Sequence, residues 1–330
     1  MLLLNIALAQ TAPPIVNGAE VSSGFQSVGS MVAMKGQQGG SICSGTLVAT
    51  RRVVTAAHCV DAAEEYEDSG WTIWFVVAND VYGNWTASST LQSMHRHPDY
   101  TYDANGIDWD IAVLKLNDPI KDVPLMRLNT DFVDSDWKGE DVTYAGFGIT
   151  DTGASDGGVL RKVTTPLWEY DGQFVYTYSE TKPVLGVCSG DSGGAAAMRR
   201  EQDDKWELVG VNSFVWNDNG STSIDCNAAG TGSAASRIDR NLEFLGGFMD
   251  IEDEVHEGDA DVDADSDTDT DSDADSDSDT DIQDSGLVDS GLDGTPTDKS
   301  NNGTGMCAPV GAPAWLLLPG LLAIVGRRRA

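Results

Sequence analysis

Apolar residues fall into short runs that turn-forming residues interrupt. Gly45–Val54, Trp71–Val77, Ile111–Leu116, Val142–Phe147 and Trp206–Phe214 are each of strand length and rich in Val, Ile, Phe and Trp, with Gly, Asn and Asp between them. Runs of that composition and punctuation predict strands. A helical period emerges only over Ile238–Phe248, where Ile238, Leu242 and Leu245 can share a face. Many short strands followed by one terminal helix predict an all-β barrel or sandwich.

The pattern breaks near Met249. From Asp259 to Asp281 every odd position is aspartate, alternating with Ala, Val, Ser and Thr. As a strand this would place a wall of like charges on one face. As a packed element it has almost nothing apolar to bury. Residues 250–300 are therefore expected to form a disordered, self-repelling linker. Its carboxylates could attract Ca²⁺, but the repeat lacks the glycine and terminal glutamate of an EF-hand loop. Loose calcium association is expected there, and no other metal or cofactor.

The two ends have their own patterns. Met1–Ala9 is apolar and closes on Ala7-Leu8-Ala9, the small-x-small form of a signal-peptidase site, although no basic residue precedes it. Residues 1–9 are read as a signal peptide, 10–14 as a short propeptide and 15–249 as the folded domain. Residues 301–330 hold Cys307, then the uncharged apolar stretch Ala308–Gly326, then Arg327-Arg328-Arg329. The stretch is long enough for one crossing of a hydrocarbon core of about 30 Å. The arginines would stay on the cytoplasmic side, leaving everything before them outside. A membrane is thus an expected partner of the tail.

Charge narrows the function classes. The formal net charge is -33, and residues 250–298 hold 21 of the 53 acidic residues. Residues 1–249 still carry 32 acids against 16 bases. Nucleic-acid binding needs a basic face, so that class is excluded. The balance suits a secreted, monomeric protein. Of five cysteines, Cys43, Cys59, Cys188 and Cys226 lie in the folded part, and Cys307 lies in the tail. No CxxC pair is present, so two bridges formed in an oxidising compartment are expected, with three connectivities open.

Candidate chemistry centres on Cys188-Ser189-Gly190-Asp191-Ser192-Gly193-Gly194. Glycines around Ser192 allow a tight turn and close approach to a bound group. The N–H groups of Gly190 and Ser192 could together hold a developing oxyanion. A serine hydroxyl is a weak nucleophile and needs a base with an orienting acid. His58, in Thr55-Ala56-Ala57-His58-Cys59, supplies the base. Asp110 heads the apolar run to Leu116 and supplies the acid, with Asp108 as the competing candidate.

These segments resemble the chymotrypsin/trypsin-like serine proteases (family S1) over about Ile15 to Phe248. The carriers are Ile-Val-Asn-Gly at 15–18, Cys-Ser-Gly-Thr-Leu at 43–47, Thr-Ala-Ala-His-Cys at 55–59, Asp-Ile-Ala-Val-Leu at 110–114, Gly-Phe-Gly at 146–148 and Gly-Asp-Ser-Gly-Gly at 190–194. Their joint order, His then Asp then Ser, differs from that of subtilisins and α/β-hydrolases. The resemblance implies two six-stranded antiparallel Greek-key barrels and hydrolysis of peptide bonds in protein substrates. It implies His58, Asp110 and Ser192 as the triad, with Gly190 and Ser192 as oxyanion donors. It also implies the bridges Cys43–Cys59 and Cys188–Cys226. The new amino group of Ile15 is implied to pair with Asp191 once an activating protease has cut after Pro14. That proline stands where the family usually presents Arg or Lys.

The same resemblance places the specificity pocket at Gly186, Ser213, Val215 and Gly232. No carboxylate lies at Gly186, and Val215 stands where a glycine is usual, so small or medium apolar residues are expected before the cut. The tail resembles the tripartite (MYXO-CTERM-like) sorting signals of surface proteins in some Gram-negative bacteria. That implies processing near Cys307 and a place at or beyond the bacterial cell surface. The rival readings are a catalytically inactive binding or adhesion protein on the same fold and a calcium-dependent surface structural protein. An intact triad argues against the first.

Overall fold

A computed structural model of the protein describes residues 14–103, 106–199, 205–219, 225–249 and the short strand 304–306. The expected signal peptide, most of the propeptide, the acidic linker, Cys307, the apolar stretch and the terminal arginines lie outside the described residues. Among the described residues no helix is long and apolar enough to cross a membrane.

The chain enters through Pro14–Asn17, a single turn that Ile15 (φ 46°) bends out of helical geometry. β1 (Ala19–Glu20) follows. The first barrel comprises β2 (Val28–Lys35), β3 (Gln38–Ala49), β4 (Arg52–Thr55), β5 (Thr72–Val77), β6 (Ala87–Arg96) and β9 (Ala112–Leu116). It closes in the order β2-β3-β4-β9-β6-β5. The hairpin of β7 (Thr101–Asp103) and β8 (Gly106–Asp108) stands beside it. β10 (Arg127–Leu128) leads toward the second barrel.

The second barrel comprises β11 (Asp141–Gly146), β12 (Arg161–Tyr170), β13 (Phe174–Ser179), β14 (Ala195–Arg199), β15 (Trp206–Asn217) and β16 (Thr231–Arg237). The path β12-β11-β14-β15-β16-β13 is closed by the pairing of β12 with β13. Closing a sheet removes its hydrogen-bonding edges, which suits a chain of many short strands. β17 (Thr304–Met306) adds to β15 from far along the chain.

The predicted run Gly45–Val54 is two strands rather than one. Thr50-Arg51 makes a turn, and Val54 pairs back onto Thr46. Both arms are apolar because both face a barrel interior, so hydropathy alone shows no boundary. The expected terminal helix is shorter than its period, covering Leu242–Gly246. A second helix, Ala57–Asp68, was not predicted. Its buried residues include Ala57, Cys59, Ala62 and Ala63, too small to register as an apolar stripe.

One apolar cluster fills the first barrel and continues through Ala145, Phe147, Ala195, Leu208 and Val211 of the second. A separate cluster inside the second barrel joins Ile15, Val16, Tyr144, Val163, Cys188, Val215 and Cys226. The continuous first cluster ties the barrels together, which fixes loops from each against the other.

Candidate active site

His58 is the second residue of the helix Ala57–Asp68, directly after β4. Its helix start is anchored by the disulfide Cys43–Cys59, which ties the neighbouring residue to β3. The backbone N–H of His58 donates to Asp110 Oδ1 at 2.9 Å, and His58 Nδ1 lies 2.8 Å from Oδ2. A carboxylate facing Nδ1 keeps the proton there and leaves a lone pair on Nε2. Nε2 is buried and has no hydrogen-bond partner among the described residues. Buried polar nitrogens rarely lack one, so an aimed, unpartnered ring nitrogen has an energetic cost that function can justify.

Asp110 precedes β9 and is fully buried. Trp109, immediately before it, holds a left-handed φ of 50°. That conformation is unusual for a bulky residue. It is held by stacking on His97 at 4.7 Å and by an N–H bond to Gln173 Oε1 at 2.6 Å. Asp110 is braced again from the second barrel. Ser213 Oγ donates to Oδ2 at 2.5 Å, and Ser236 Oγ donates to its backbone carbonyl at 2.7 Å. Burial pushes the Asp110 carboxyl up, but His58 and the Ser213 hydroxyl outweigh it, and the net displacement is downward. Asp108 is exposed and bonds Gln173 Nε2 at 3.1 Å, so of the two candidates only Asp110 faces His58.

Ser192 lies on a loop fixed from both barrels. From β3, Ser44 donates its N–H to Ser192 O at 2.8 Å and its hydroxyl to Gly190 O at 2.9 Å. From β15, Asn212 accepts the Gly193 N–H at 2.7 Å and donates Nδ2 to Asp191 O at 3.1 Å. Gly193 has φ 80°, and a Cβ there would lie 2.1 Å from Thr55 Oγ1 and 2.3 Å from Ser44 O. Only glycine fits so close to β4, three residues before His58. The second disulfide, Cys188–Cys226, closes the start of the loop. Ser44, Asn212 and Ser236 were not singled out from sequence. Ser44 does lie in the quoted Cys-Ser-Gly-Thr-Leu segment, whereas nothing local marks the other two.

Asp191 is fully buried and accepts from Gly148 N at 2.8 Å and Cys188 N at 2.9 Å. Burial pushes its carboxyl up to about 7 despite those two bonds. Ile15 is fully buried in the cluster that contains Cys188, with no hydrogen bond to Asp191 among the described residues.

The pocket residues separate by register. Val215 pairs with Ser233, and Trp216 pairs with Gly232. Directly paired residues in an antiparallel ladder share a face. Ser233 therefore stands opposite Val215, while Gly232 faces Trp216, whose ring a Cβ at Gly232 would meet at 2.4 Å. Gly186 bridges Val16, and a Cβ there would lie 2.5 Å from Ser233 Oγ. Gly186, Val215 and Ser233 thus converge, whereas Gly232, expected in the pocket, lies against Trp216. Ser213, also expected in the pocket, bonds Asp110. Side-chain atoms of Cys43, His58 and Cys59 lie within 4.8 Å of one another, but the two sulfurs are bonded to each other and leave no ligand set for a metal.

Comparison with known proteins agrees with this architecture. The family model described as Trypsin matches residues 15–230. A "Trypsin" of Saccharopolyspora erythraea is 29% identical over 201 residues, covering 56% of this chain and 79% of that protein. A "Venom serine protease" of Polistes dominula is 26% identical over 258 residues, covering 70% of this chain and 83% of that protein. An "Ovochymase" of Halocynthia roretzi is 28% identical over 191 residues, of which this chain spans 12% of the length. With a matched family model over most of both barrels, the chain belongs to the trypsin family of serine proteases.

Proposed function

We propose that the protein is a serine endopeptidase that works through an acyl-enzyme on Ser192. The observation that carries this reading is the buried Asp110 with both carboxylate oxygens on His58, leaving Nε2 without a partner. Ser192 Oγ attacks the scissile carbonyl carbon as its proton passes to His58 Nε2. The carbonyl electrons move onto oxygen, which the N–H groups of Gly190 and Ser192 hold. Collapse breaks the C–N bond, and His58 gives the proton to the leaving amine. Water repeats the sequence on the ester and regenerates Ser192. Asp110 orients the ring throughout and stabilises its charged form.

The convergence of Gly186, Val215 and Ser233, none of them charged, supports a narrow apolar pocket. Preference for small or medium apolar residues before the cut follows. The working boundaries are a catalytic domain at 15–249 and an exported, surface-tethered tail at 301–330, joined by the acidic linker. The two disulfides suit an exported protein. Activation by release of Ile15 is part of the same reading, because a buried Asp191 without a cation would gain one from a free α-amino group.

A fluorophosphonate probe tests the chemistry. It should label the wild type on Ser192 and leave Ser192→Ala unlabelled. A folded wild type beginning at Ile15 that stays unlabelled would overturn the enzyme reading in favour of the inactive binding protein. Uncharged peptide substrates with Ala or Val before the cut should exceed Arg or Lys substrates in kcat/KM, and the opposite ranking would overturn the pocket assignment.

A further inference from the structure

The pairing of Thr304–Met306 with β15 joins the tail to the site. β14 covers one edge of β15 through Val211, and β16 covers the other edge from Gly210 to Asn217. Beyond Val211 the first edge is left to another strand, and β17 takes it. Met306 pairs with Phe214, Gly305 with Val215 and Thr304 with Trp216, all antiparallel. The tail strand therefore runs toward Ser213, whose hydroxyl holds Asp110. An extended segment adding to an exposed edge in this way gains main-chain hydrogen bonds regardless of its side chains. Residue 305 is glycine, so nothing but backbone meets Val215 there.

We propose that Thr304–Met306 is an intramolecular occupant of the peptide-binding edge at Phe214–Trp216 and competes there with peptide substrates. This rests on the proposed function, which puts Val215 of that edge in the substrate pocket. The occupant is a named segment of the same chain, and 54 residues, 250–303, connect it to the folded domain. Fully extended, a connection of that length reaches about 180 Å. The entropic cost of closing it grows only with the logarithm of length. Tethering makes even a weak strand effective, because its local concentration is set by the linker and not by the solution. Substrate must displace it, so the tail raises KM without touching the reacting atoms and leaves kcat unchanged.

Gly305→Pro in the full chain tests the inference, since proline removes the N–H and disfavours the ladder. With a short uncharged peptide substrate, KM should fall about threefold or more while kcat stays constant. A chain ending at residue 303 should behave the same way. Equal KM in the full chain and both variants would overturn the proposal. A second measurement separates this from a failure of the enzyme reading. In Ser192→Ala, the amides of Phe214–Trp216 should exchange with solvent more slowly in the full chain than in the chain ending at 303. If that protection is seen and the wild type beginning at Ile15 is not labelled by fluorophosphonate, the tail docks and the protease chemistry is wrong. If labelling succeeds and exchange is the same in both chains, the tail proposal fails alone.

Discussion

Asp110 shows how much one side chain must be over-determined to work. Both oxygens accept from His58, one accepts from Ser213, and the backbone carbonyl is tied by Ser236. Asp110→Asn preserves shape but places an amide N–H against the histidine, favouring the wrong tautomer. We expect kcat to fall by about 10⁴ with KM little changed, as comparable substitutions do in this type of triad. Steady-state kinetics with an unchanged kcat would refute the role. Asp191 makes a different point. Its carboxyl is raised by burial to about 7, above the unfolded value of 3.8. A raised acid binds more protons when folded, so stability is highest at low pH and falls as pH rises from about 4 through 7. Three displaced units correspond to about 4 kcal/mol at most. Thermal melts should show a Tm that drops between pH 5 and 8 in chains carrying residues before Ile15. Chains beginning at Ile15 should lose that drop, because the new ammonium supplies the missing partner.

Among the elements, register decides more than residue identity. Val215 and Gly232 looked like facing walls when aligned by motif, but the ladder pairs Val215 with Ser233. Ser233→Val should narrow the pocket. We expect kcat/KM to fall about tenfold for substrates with Leu before the cut and much less for those with Ala. Equal losses for both would show that Ser233 does not line the pocket. The helix Ala57–Asp68 illustrates the opposite case. Its sequence gave no apolar stripe, yet it sets the position of His58 because Cys59 is bonded to β3. Small buried alanines let it lie close to the barrel, and closeness is what a hydropathy pattern does not record.

Across the whole molecule, the last helix joins the barrels. Leu245 is fully buried in the first barrel's cluster, although the helix follows the last strand of the second. Phe248 lies 4.7 Å from His95, and its carbonyl accepts from Arg52 Nε at 2.7 Å. A chain ending at Arg240 should lose about 3 kcal/mol or more, the typical cost of removing one fully buried leucine with its neighbours. Calorimetry should show one transition at lower Tm, whereas the Tm of a chain ending at Met249, which loses only the tail strand, should fall much less. Separate melting of two barrels would contradict the shared core. The same geometry explains the active site, since His58 and Asp110 belong to the first barrel and Ser192 to the second. Neither barrel alone holds the three residues together.

Much of this was legible in the chain itself. Strand-length apolar runs specified the all-β class because each had to bury a face and could do so only in a closed sheet. The segments around His58, Asp110 and Ser192 pointed to the proposed chemistry, through the motifs that resemble the trypsin-like proteases. Other features depend on contacts between residues on different elements, which no local pattern encodes. Packing within the first barrel turned Asp110 rather than Asp108 to His58, packing between barrels set Ser44 as a brace of the Ser192 loop, and packing within the second barrel set Asn212 there. Ladder register pairs Val215 with Ser233 and Gly232 with Trp216. The pairing of Thr304–Met306 with β15 is a further instance. From sequence, the apolar stretch and arginines after it raise only the expectation of a membrane segment, whereas the open edge that receives Thr304–Met306 exists only once the second barrel has closed.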